Sequence, residues 1–273
     1  MKTIDLKEMQ RIELELLLEL DKVCKKHALR FYIDGGTLLG AYCYEGFIPW
    51  DDDIDIKMPR KDYEELVRHR HEFPEYMRLV SPEEDGYAYT FTKINDIRTV
   101  LIENPGTAAE HEGCVYLDIL PMDGHPSDPK ILRKLERYKT LFHGAKTGFS
   151  GMKNSGGFLH RAKGVIYSML YNPKTVYEKM TKLAKKTDYN GAEHVGLLIE
   201  GNREKETFRR ESLDHAVCLP FEGHDFPASA EYEKHLVTFY GEHILQHKHS
   251  HDLPYIAPAH KHTVYWKESE CQN

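Results

Sequence analysis

The segment WDDDIDI at residues 50–56 constrains this chain more than any other part of its sequence. Its four aspartates repel one another, because two charges about 5 Å apart cost roughly 3 kcal/mol at an effective dielectric constant of ~20. The tryptophan and isoleucines among them are not typical of a solvated acidic tail. We therefore interpret the segment as a strand, in which alternate side chains share a face. Asp51, Asp53 and Asp55 then lie on one face, and the isoleucines point to the core.

Carboxylates on one face of a strand suit a hard divalent cation, and we predict Mg²⁺ (or Mn²⁺) as the cofactor. Asp118 lies in the apolar run VYLDIL and is a further candidate, because an ionisable side chain in an apolar strand is costly unless it is paired. It would complete the metal site or act as a base, and a buried acid in a structural hydrogen bond is the alternative. The predicted metal ligands are Asp51, Asp53, Asp55 and Asp118.

Two other features point to phosphate. Gly35 and Gly36 precede a short predicted helix, and adjacent glycines let the backbone of such a helix N-terminus approach a phosphate closely. Thr37 can cap that helix or donate to a phosphate oxygen. Lys93 can neutralise a phosphate from an alternate position of a later strand, or it is a surface charge. These four residues are the predicted phosphate-binding residues of the donor site. With Asp53, Asp55 and Asp118 as the predicted catalytic residues, they suit an in-line displacement at phosphorus.

The composition excludes several classes of protein. The chain has 273 residues, of which 40% are hydrophobic and 30% charged, and this is typical of a globular protein with a sizeable core. A net charge of −7 gives no basic excess for nucleic acid. The five cysteines have no CxxC spacing, which favours a reducing compartment. Because we find neither a signal peptide nor an apolar run of about 20 residues, we expect a cytoplasmic protein and leave contact with the inner face of the membrane open.

The order of predicted elements indicates an α/β (α+β) fold, with a mixed sheet flanked by helices and a mainly helical C-terminal part. Periodicity predicts strands and helices alternating in the first half of the chain. We divide the chain into a catalytic core over residues 1–126 and a helical part over residues 127–273. The predicted helices span residues 4–26, 61–72, 130–142, 158–170, 173–186 and 229–246, the predicted strands residues 31–33, 50–56, 89–95, 99–103, 115–120 and 195–199, and a glycine-rich loop residues 144–157.

Taken together, these motifs resemble the LicD family of nucleotidyltransferase-like proteins. The segments GGTLLGA at 35–41 and GFIPWDDDIDI at 46–56 carry the resemblance, and FTKI at 91–94 and LDILPMDG at 117–124 extend it. FEG at 221–223 with the later Tyr-Gly pair is similar to the C-terminal motif of that family. The resemblance covers roughly residues 10–245 and implies one continuous LicD domain with a nucleotidyltransferase-like core.

The resemblance also implies a reaction. LicD-like phosphotransferases move a substituted phosphate, such as phosphocholine, from a CDP-linked donor such as CDP-choline to a sugar hydroxyl. Their acceptors are cell-surface glycans or precursors, including teichoic acids, lipopolysaccharides and lipid-linked forms. The resemblance places the metal on Asp53 and Asp55, with Asp51 beside them and Asp118 as the third acid.

Three alternatives remain open at the level of sequence. An NTP-dependent nucleotidyltransferase would make an activated precursor and release pyrophosphate. A glycosyltransferase would bind a nucleotide sugar through Asp-x-Asp, but only some 20 residues separate the first strand from the aspartates, and this spacing disfavours a preceding Rossmann-like unit. A non-catalytic binding module of the same fold is the third alternative.

Overall fold

The computed structural model describes residues 2–84, 87, 89–103, 105, 111–149, 171–200, 205–253 and 262–267. The helices are α1 (Leu6–His27), α2 (Gly35–Tyr44), α3 (Arg60–Arg68), α4 (Pro129–Phe149), α5 (Pro173–Ala184), α6 (Arg210–Asp214) and α7 (Tyr232–Tyr240), with 3₁₀ turns at Arg70–Glu72 and Glu242–His247. The strands are β1 (Lys2–Ile4), β2 (Tyr32–Ile33), β3 (Asp55–Pro59), β4 (Met77–Val80), β5 (Thr92–Glu103), β6 (His111–Gly124), β7 (His194–Gly196), β8 (Thr207–Arg209), β9 (Val217–Phe221), β10 (His224–Ala228) and β11 (His262–Trp266).

A large mixed sheet organises the fold. Within the described residues it contains nine strands, whose main path runs β1-β11-β5-β6-β3-β2. Strand β3 pairs with β6 in parallel, whereas β6 pairs with β5 in the antiparallel direction. Strand β4 extends the sheet from β5, and β7 joins β8 to the end of β6. The predicted α/β class, a mixed sheet flanked by helices, is confirmed.

Helix α1 packs on this sheet through the apolar stripe that its sequence predicts. Its carboxylate cap, Asp5, accepts a hydrogen bond from the Glu8 N–H at 2.9 Å, and Ala28 ends the helix in the left-handed conformation with φ 52°. Such caps satisfy backbone groups that a helix end leaves unpaired. The side chains that bury this face include Met9, Ile12, Leu16, Leu20 and Val23. The predicted helix is therefore confirmed from Leu6 onward, whereas residues 2–4 form β1.

Two strand predictions need correction. The predicted strand over residues 50–56 begins only at Asp55, and residues 51–54 form a loop. The two strands predicted at 89–95 and 99–103 form the single strand β5, whose register on β6 shifts between Asp96 and Leu101. At that shift Thr99 donates its hydroxyl to the Asp96 carbonyl at 2.8 Å and accepts the Val115 N–H at 2.8 Å. The Thr99 side chain thus links β5 to β6 at the point where the register between the two strands shifts.

The C-terminal part contains strands as well as helices. The helix predicted at 229–246 is divided into α7 and a 3₁₀ turn, because Gly241 has φ 89°, outside the helical region. Helix α4 continues to Phe149, so residues 144–149, which were predicted to belong to a loop, are helical. The rest of that loop and the helix predicted at 158–170 lie outside the described residues. The predicted boundary near residue 126 stays a prediction.

A buried ion pair ties α3 to β6. Arg60 donates two hydrogen bonds to the carboxylate of Asp123, at 2.8 and 2.7 Å, and both side chains are buried. The sequence favours a turn role for Asp123, but the structure places it in β6 as the partner of Arg60.

Within the described residues, no helix combines the length and the apolar character that crossing a membrane requires.

Candidate active site

The register of three neighbouring strands brings the predicted site residues together. Asp55, the first residue of β3, is the parallel partner of Asp118 on β6. On the other side, Asp118 is the antiparallel partner of Lys93 on β5. The Lys93 ammonium donates to Asp118 Oδ1 at 2.7 Å. Three residues far apart in sequence therefore form one row across the sheet.

A loop immediately before β3 carries the other aspartates. Oxygens of Asp51, Asp52 and Asp53 lie within 4.8 Å of one another. Gln10 of α1 holds this loop by donating to the carbonyls of Asp51 at 2.8 Å and Ile48 at 3.3 Å. Because the segment is a loop, strand alternation does not apply to it, and the Asp52 carboxylate joins the other two. The strand pattern predicts instead that Asp52 lies on the opposite face from Asp51 and Asp53, and this expectation is wrong.

The glycine pair lies directly against these carboxylates, and it forms the first two residues of α2 rather than preceding that helix as predicted. Gly35 has φ 54°, in the left-handed region, and a Cβ there would lie 3.1 Å from Asp55 Oδ2. A Cβ on Gly36 would lie 2.6 Å from Asp51 Oδ2, closer than a side chain tolerates. Thr37, which follows, accepts the Asp55 N–H at 2.9 Å through its hydroxyl oxygen. The start of α2 therefore fits closely around two of the aspartates, and this accounts for both glycines without any ligand.

The acidic groups make one another difficult to ionise. Burial, together with the charges of Asp53 and Asp52, raises the pKa of Asp51 to about 7. Burial and the charges of Asp53 and Asp118 hold the pKa of Asp55 well above its usual range. Burial raises the pKa of Asp118 to about 6 against the opposing effect of Lys93. A divalent cation would relieve this repulsion, and the cluster offers only the oxygen ligands that Mg²⁺ and Mn²⁺ prefer. The donor set therefore fits the predicted metal.

Aromatic rings surround the lysine of the row. The Lys93 ammonium lies 3.3 Å from the centroid of the Tyr116 ring, 4.7 Å from that of Tyr89 and 5.4 Å from that of Phe91. Ring faces attract cations, so these contacts and the Asp118 carboxylate hold a nearly buried ammonium group in place. A fixed positive charge beside Asp118 can neutralise a phosphate oxygen.

A second cluster of charged residues contacts the start of α2, where the two glycines lie. Asp34, immediately before Gly35, accepts hydrogen bonds from Lys57 of β3 at 2.7 Å and from His235 of α7 at 2.8 Å. All three side chains are buried. Burial alone would raise the pKa of Asp34, but Lys57 and His235 outweigh it and hold that pKa well below its usual range. These ionic hydrogen bonds fix the start of α2 to β3 and α7.

Comparison with known proteins agrees with this geometry. Residues 28–128 match the sequence model of a family described as LicD/FKTN/FKRP, nucleotidyltransferase domain. The chain carries a LicD-family domain. The resemblance that the motifs predicted is therefore confirmed, and the matched range contains every predicted site residue.

Similarity to individual proteins extends beyond the LicD domain. The chain is 29% identical over 256 residues to the lipopolysaccharide cholinephosphotransferase LicD of Haemophilus influenzae. The alignment covers 89% of this chain and 93% of that protein. It is also 25% identical over 178 residues to an uncharacterized protein of Rickettsia prowazekii, covering 64% of each chain.

Residues outside the LicD domain also reach the site. His262 of β11 places Nδ1 2.6 Å from Asp52 Oδ2. Burial disfavours its imidazolium form, but Asp52 outweighs burial and raises the pKa of His262. Burial and the charges of Asp34 and the aspartate run raise the pKa of Tyr240, the last residue of α7, to about 12. No periodicity predicts these contacts, because they depend on long-range packing.

Glu13 of α1 is a further acidic residue near the LicD domain's aspartates. Its side chain is fully buried, and neither carboxylate oxygen has a hydrogen-bond partner in the described part of the chain. Burial, followed by the charges of Asp53 and Asp52, holds the pKa of Glu13 well above its usual range. The sequence does contain a signal for it, because Glu13 lies four residues after Met9, on the buried face of the helix.

The C-terminal motif supports the loop that leads to the aspartates. Glu222 and Gly223 form the turn between β9 and β10, with φ 50° and 76°, as a two-residue hairpin of the I′ type requires. The Glu222 N–H donates to the Glu45 carbonyl at 2.8 Å, and Glu222 Oε1 accepts the Phe47 N–H at 3.0 Å. Glu222 therefore positions the segment that follows α2.

Proposed function

We propose that this protein is a metal-dependent phosphotransferase that moves phosphocholine, or a related alcohol phosphate, from a CDP-linked donor to a sugar hydroxyl. The acceptor would be a cell-surface glycan or its precursor. One observation carries the proposal. The loop aspartates converge with a row of three residues on neighbouring strands of one sheet, Asp55, Asp118 and Lys93. The glycines at the start of α2 approach these carboxylates closely.

The acidic residues would hold the metal. Asp51, Asp52 and Asp53 have mutually close oxygens, and Asp55 lies next to them at the start of β3. Mg²⁺ or Mn²⁺ bound there would neutralise charge on the phosphate oxygens of the donor and orient the diphosphate. Asp52 thus joins the ligands expected from the sequence.

Asp118 suits the role of general base. Its pKa of about 6 leaves it mostly ionised at neutral pH while keeping it basic enough to accept a proton. In the proposed step, the sugar oxygen forms a bond to the distal phosphorus and its proton passes to Asp118. The bond from that phosphorus to the bridging oxygen breaks, and CMP leaves. Lys93, 2.7 Å from Asp118, would stabilise negative charge on the transferred phosphate.

The choice of donor and acceptor rests on the similar protein from Haemophilus influenzae. That relative is named a lipopolysaccharide cholinephosphotransferase and aligns over 89% of this chain. Its name supports a choline phosphate group and a glycan acceptor for this protein, and a CDP-linked donor is the activated form that such a transfer would use.

Product analysis tests the proposal. Purified protein with Mn²⁺, CDP-choline and a lipopolysaccharide acceptor should release CMP and label the acceptor with phosphocholine. Asp53→Asn and Asp118→Asn should each reduce the rate by at least about a hundredfold. Asp225→Asn is the matched control, because Asp225 is exposed on β10, and it should keep the wild-type rate.

Three other outcomes would contradict the proposal or favour an alternative. Pyrophosphate release from CTP, with no CMP from CDP-choline, would favour a nucleotidyltransferase. Full activity in Asp53→Asn would contradict the metal assignment. A wild-type protein that neither turns over a nucleotide nor binds Mn²⁺ in calorimetry would favour a non-catalytic module.

A further inference from the structure

A second cluster of potential metal ligands lies where α1 and α3 end. His27 is the last residue of α1, His69 follows α3, and Glu72 lies in the 3₁₀ turn after it. His27 Nε2 is 2.8 Å and His69 Nδ1 is 3.0 Å from the same oxygen, Glu72 Oε1. One ligand atom from each residue lies within 4.8 Å of the others. The proposed phosphate transfer uses none of these residues.

We propose that His27, His69 and Glu72 form a second metal site, which binds Zn²⁺ or a similar borderline transition metal. Two imidazoles and one carboxylate suit Zn²⁺, whereas Mg²⁺ prefers oxygen ligands alone. The aspartate cluster has the opposite character, because it contains only oxygen ligands. The chain would therefore carry two sites that differ in the metal each selects.

Binding of one ion needs a small adjustment of the ligand distances and a larger one of the ring orientations. Tetrahedral zinc with bonds of about 2.0–2.1 Å separates neighbouring ligand atoms by roughly 3.3 Å. The two nitrogens lie 2.8 and 3.0 Å from Glu72 Oε1, so each pair would move apart by only a few tenths of an ångström. Both nitrogens lie against the same oxygen, but the rings stack with planes only 18° from parallel, so the two rings must turn apart before both in-plane lone pairs can reach one ion.

Neighbouring carboxylates and cations orient the ligands from outside. His69 Nε2 lies 3.3 Å from Glu65 Oε1, and Lys26 Nζ lies 2.7 Å from Glu72 Oε2. A histidine that binds a metal usually donates its other N–H to a carboxylate, which fixes the tautomer. The Glu65 contact favours a proton on Nε2 and leaves the Nδ1 lone pair of His69 for the metal. Lys26 occupies the outer oxygen of Glu72 and leaves Oε1 facing the two imidazoles.

The two rings pack against each other in the metal-free protein, and the site is accessible to solvent. The rings of His27 and His69 stack with centroids 3.6 Å apart and planes 18° from parallel. The three ligand side chains are 18–23% exposed, so an ion can enter from solvent. With three protein ligands, the fourth position is open to water. A bound ion would link the end of α1 to the end of α3 and stabilise the fold.

Zinc titration of the full-length protein tests the site. Metal-free protein is titrated with Zn²⁺ by calorimetry in excess Mg²⁺, and we expect one saturable site per chain. His27→Ala, His69→Ala and Glu72→Gln should each weaken this binding by at least about tenfold. His71→Ala is the matched control, because its ring lies 6.3 Å from that of His69 and outside the ligand set, and its affinity should stay within about twofold of wild type. Saturating zinc should raise the wild-type melting temperature by roughly 5 °C.

Two further measurements separate this site from the rest of the protein. Asp53→Asn, which tests the proposed phosphotransfer, should keep the zinc site intact, so failure of either proposal can be distinguished. Co²⁺ in place of zinc should give the intense visible absorption of a four-coordinate ion in wild-type protein, a measurement that does not depend on the folding of any variant. Absence of that spectrum, zinc binding that persists in His69→Ala, or its loss in Asp53→Asn would each overturn the proposal.

Discussion

At the scale of single residues, the site contains one carboxyl group that reduces the stability of the protein. Glu13 is fully buried, and neither of its oxygens has a hydrogen-bond partner among the described residues. Such a group keeps the full cost of its lost hydration, about 1–3 kcal/mol. A residue that costs this much next to the aspartates is a candidate for selection by function rather than by stability.

Replacing Glu13 with methionine should therefore stabilise the metal-free protein. Glu13→Met keeps an unbranched chain of similar length, and we expect a gain of about 1–3 kcal/mol in the free energy of unfolding at pH 7, measured with urea. The carboxyl group titrates near pH 4.3 when unfolded, and its folded pKa is higher. The part of its cost that comes from ionisation is thus absent below about pH 4.3 and grows as the pH rises from there to the folded pKa. A variant that gains as much at pH 4 as at pH 7 would contradict this account.

Gly36 should matter for activity more than for stability. In Gly36→Ala the new methyl group would lie 2.6 Å from Asp51 Oδ2, and the short aspartate side chain would turn away to relieve the clash. We expect at least about a tenfold loss of transferase activity and weaker Mn²⁺ binding, with a melting temperature close to wild type. Gly113→Ala is the control, since a Cβ there meets nothing within 4 Å. Equal activity in the two variants would show that the close approach is unimportant.

At the scale of secondary-structure elements, the start of α2 depends on the buried ion pair between Asp34 and Lys57. Asp34→Asn would leave the ammonium of Lys57, which is 1% exposed, without its ionic partner. Breaking one side of a buried ion pair costs about 3–5 kcal/mol, and chemical denaturation should detect this loss. In Asp34→Asn/Lys57→Met both charges are gone, and we expect at least half of the loss to be recovered. A double variant as unstable as the single one would rule out an unpaired charge as the cause.

The elements also show what sequence patterns can and cannot predict. The stripe on α1 and the apolar run around Asp118 predicted their helix and strand, because each pattern reflects burial of one local face. The aspartate loop did not follow its pattern, since Gln10 and the start of α2 contact Asp51, and backbone bonding to β6 begins at Ile54, which accepts the Asp118 N–H. The motifs predict Asp53, Asp55 and Asp118 as site residues, whereas His262 and Tyr240 approach the candidate site only through folding of distant segments.

At the scale of the whole molecule, the two ends of the described chain close one edge of the sheet. Strand β11 pairs with β5 on one side and with β1 on the other. It also carries His262 to Asp52 and buries Val264 beside α1. The C-terminal strand thus contributes to the core and to the site at once.

Removal of this strand should affect both properties. A chain that stops after Leu253 would expose the edge of β5 and lose the His262 contact, so we expect the melting temperature to fall by roughly 5 °C or more. Transferase activity should fall as well. His262→Ala separates the effects, because it removes the contact and keeps the strand. Wild-type stability in the truncated chain would show that β11 is dispensable.

The position of β11 also affects how the protein is made. Among the described strands, β1 pairs with β11 alone, so residues 2–4 must wait for residues 262–266 before this pairing can form. Ribosomes add residues at about 5–20 per second, so this edge remains incomplete while the intervening residues are made. Pairing between such distant segments is slow to form, and the exposed edge of β5 is a surface on which a nascent chain could aggregate or recruit a chaperone.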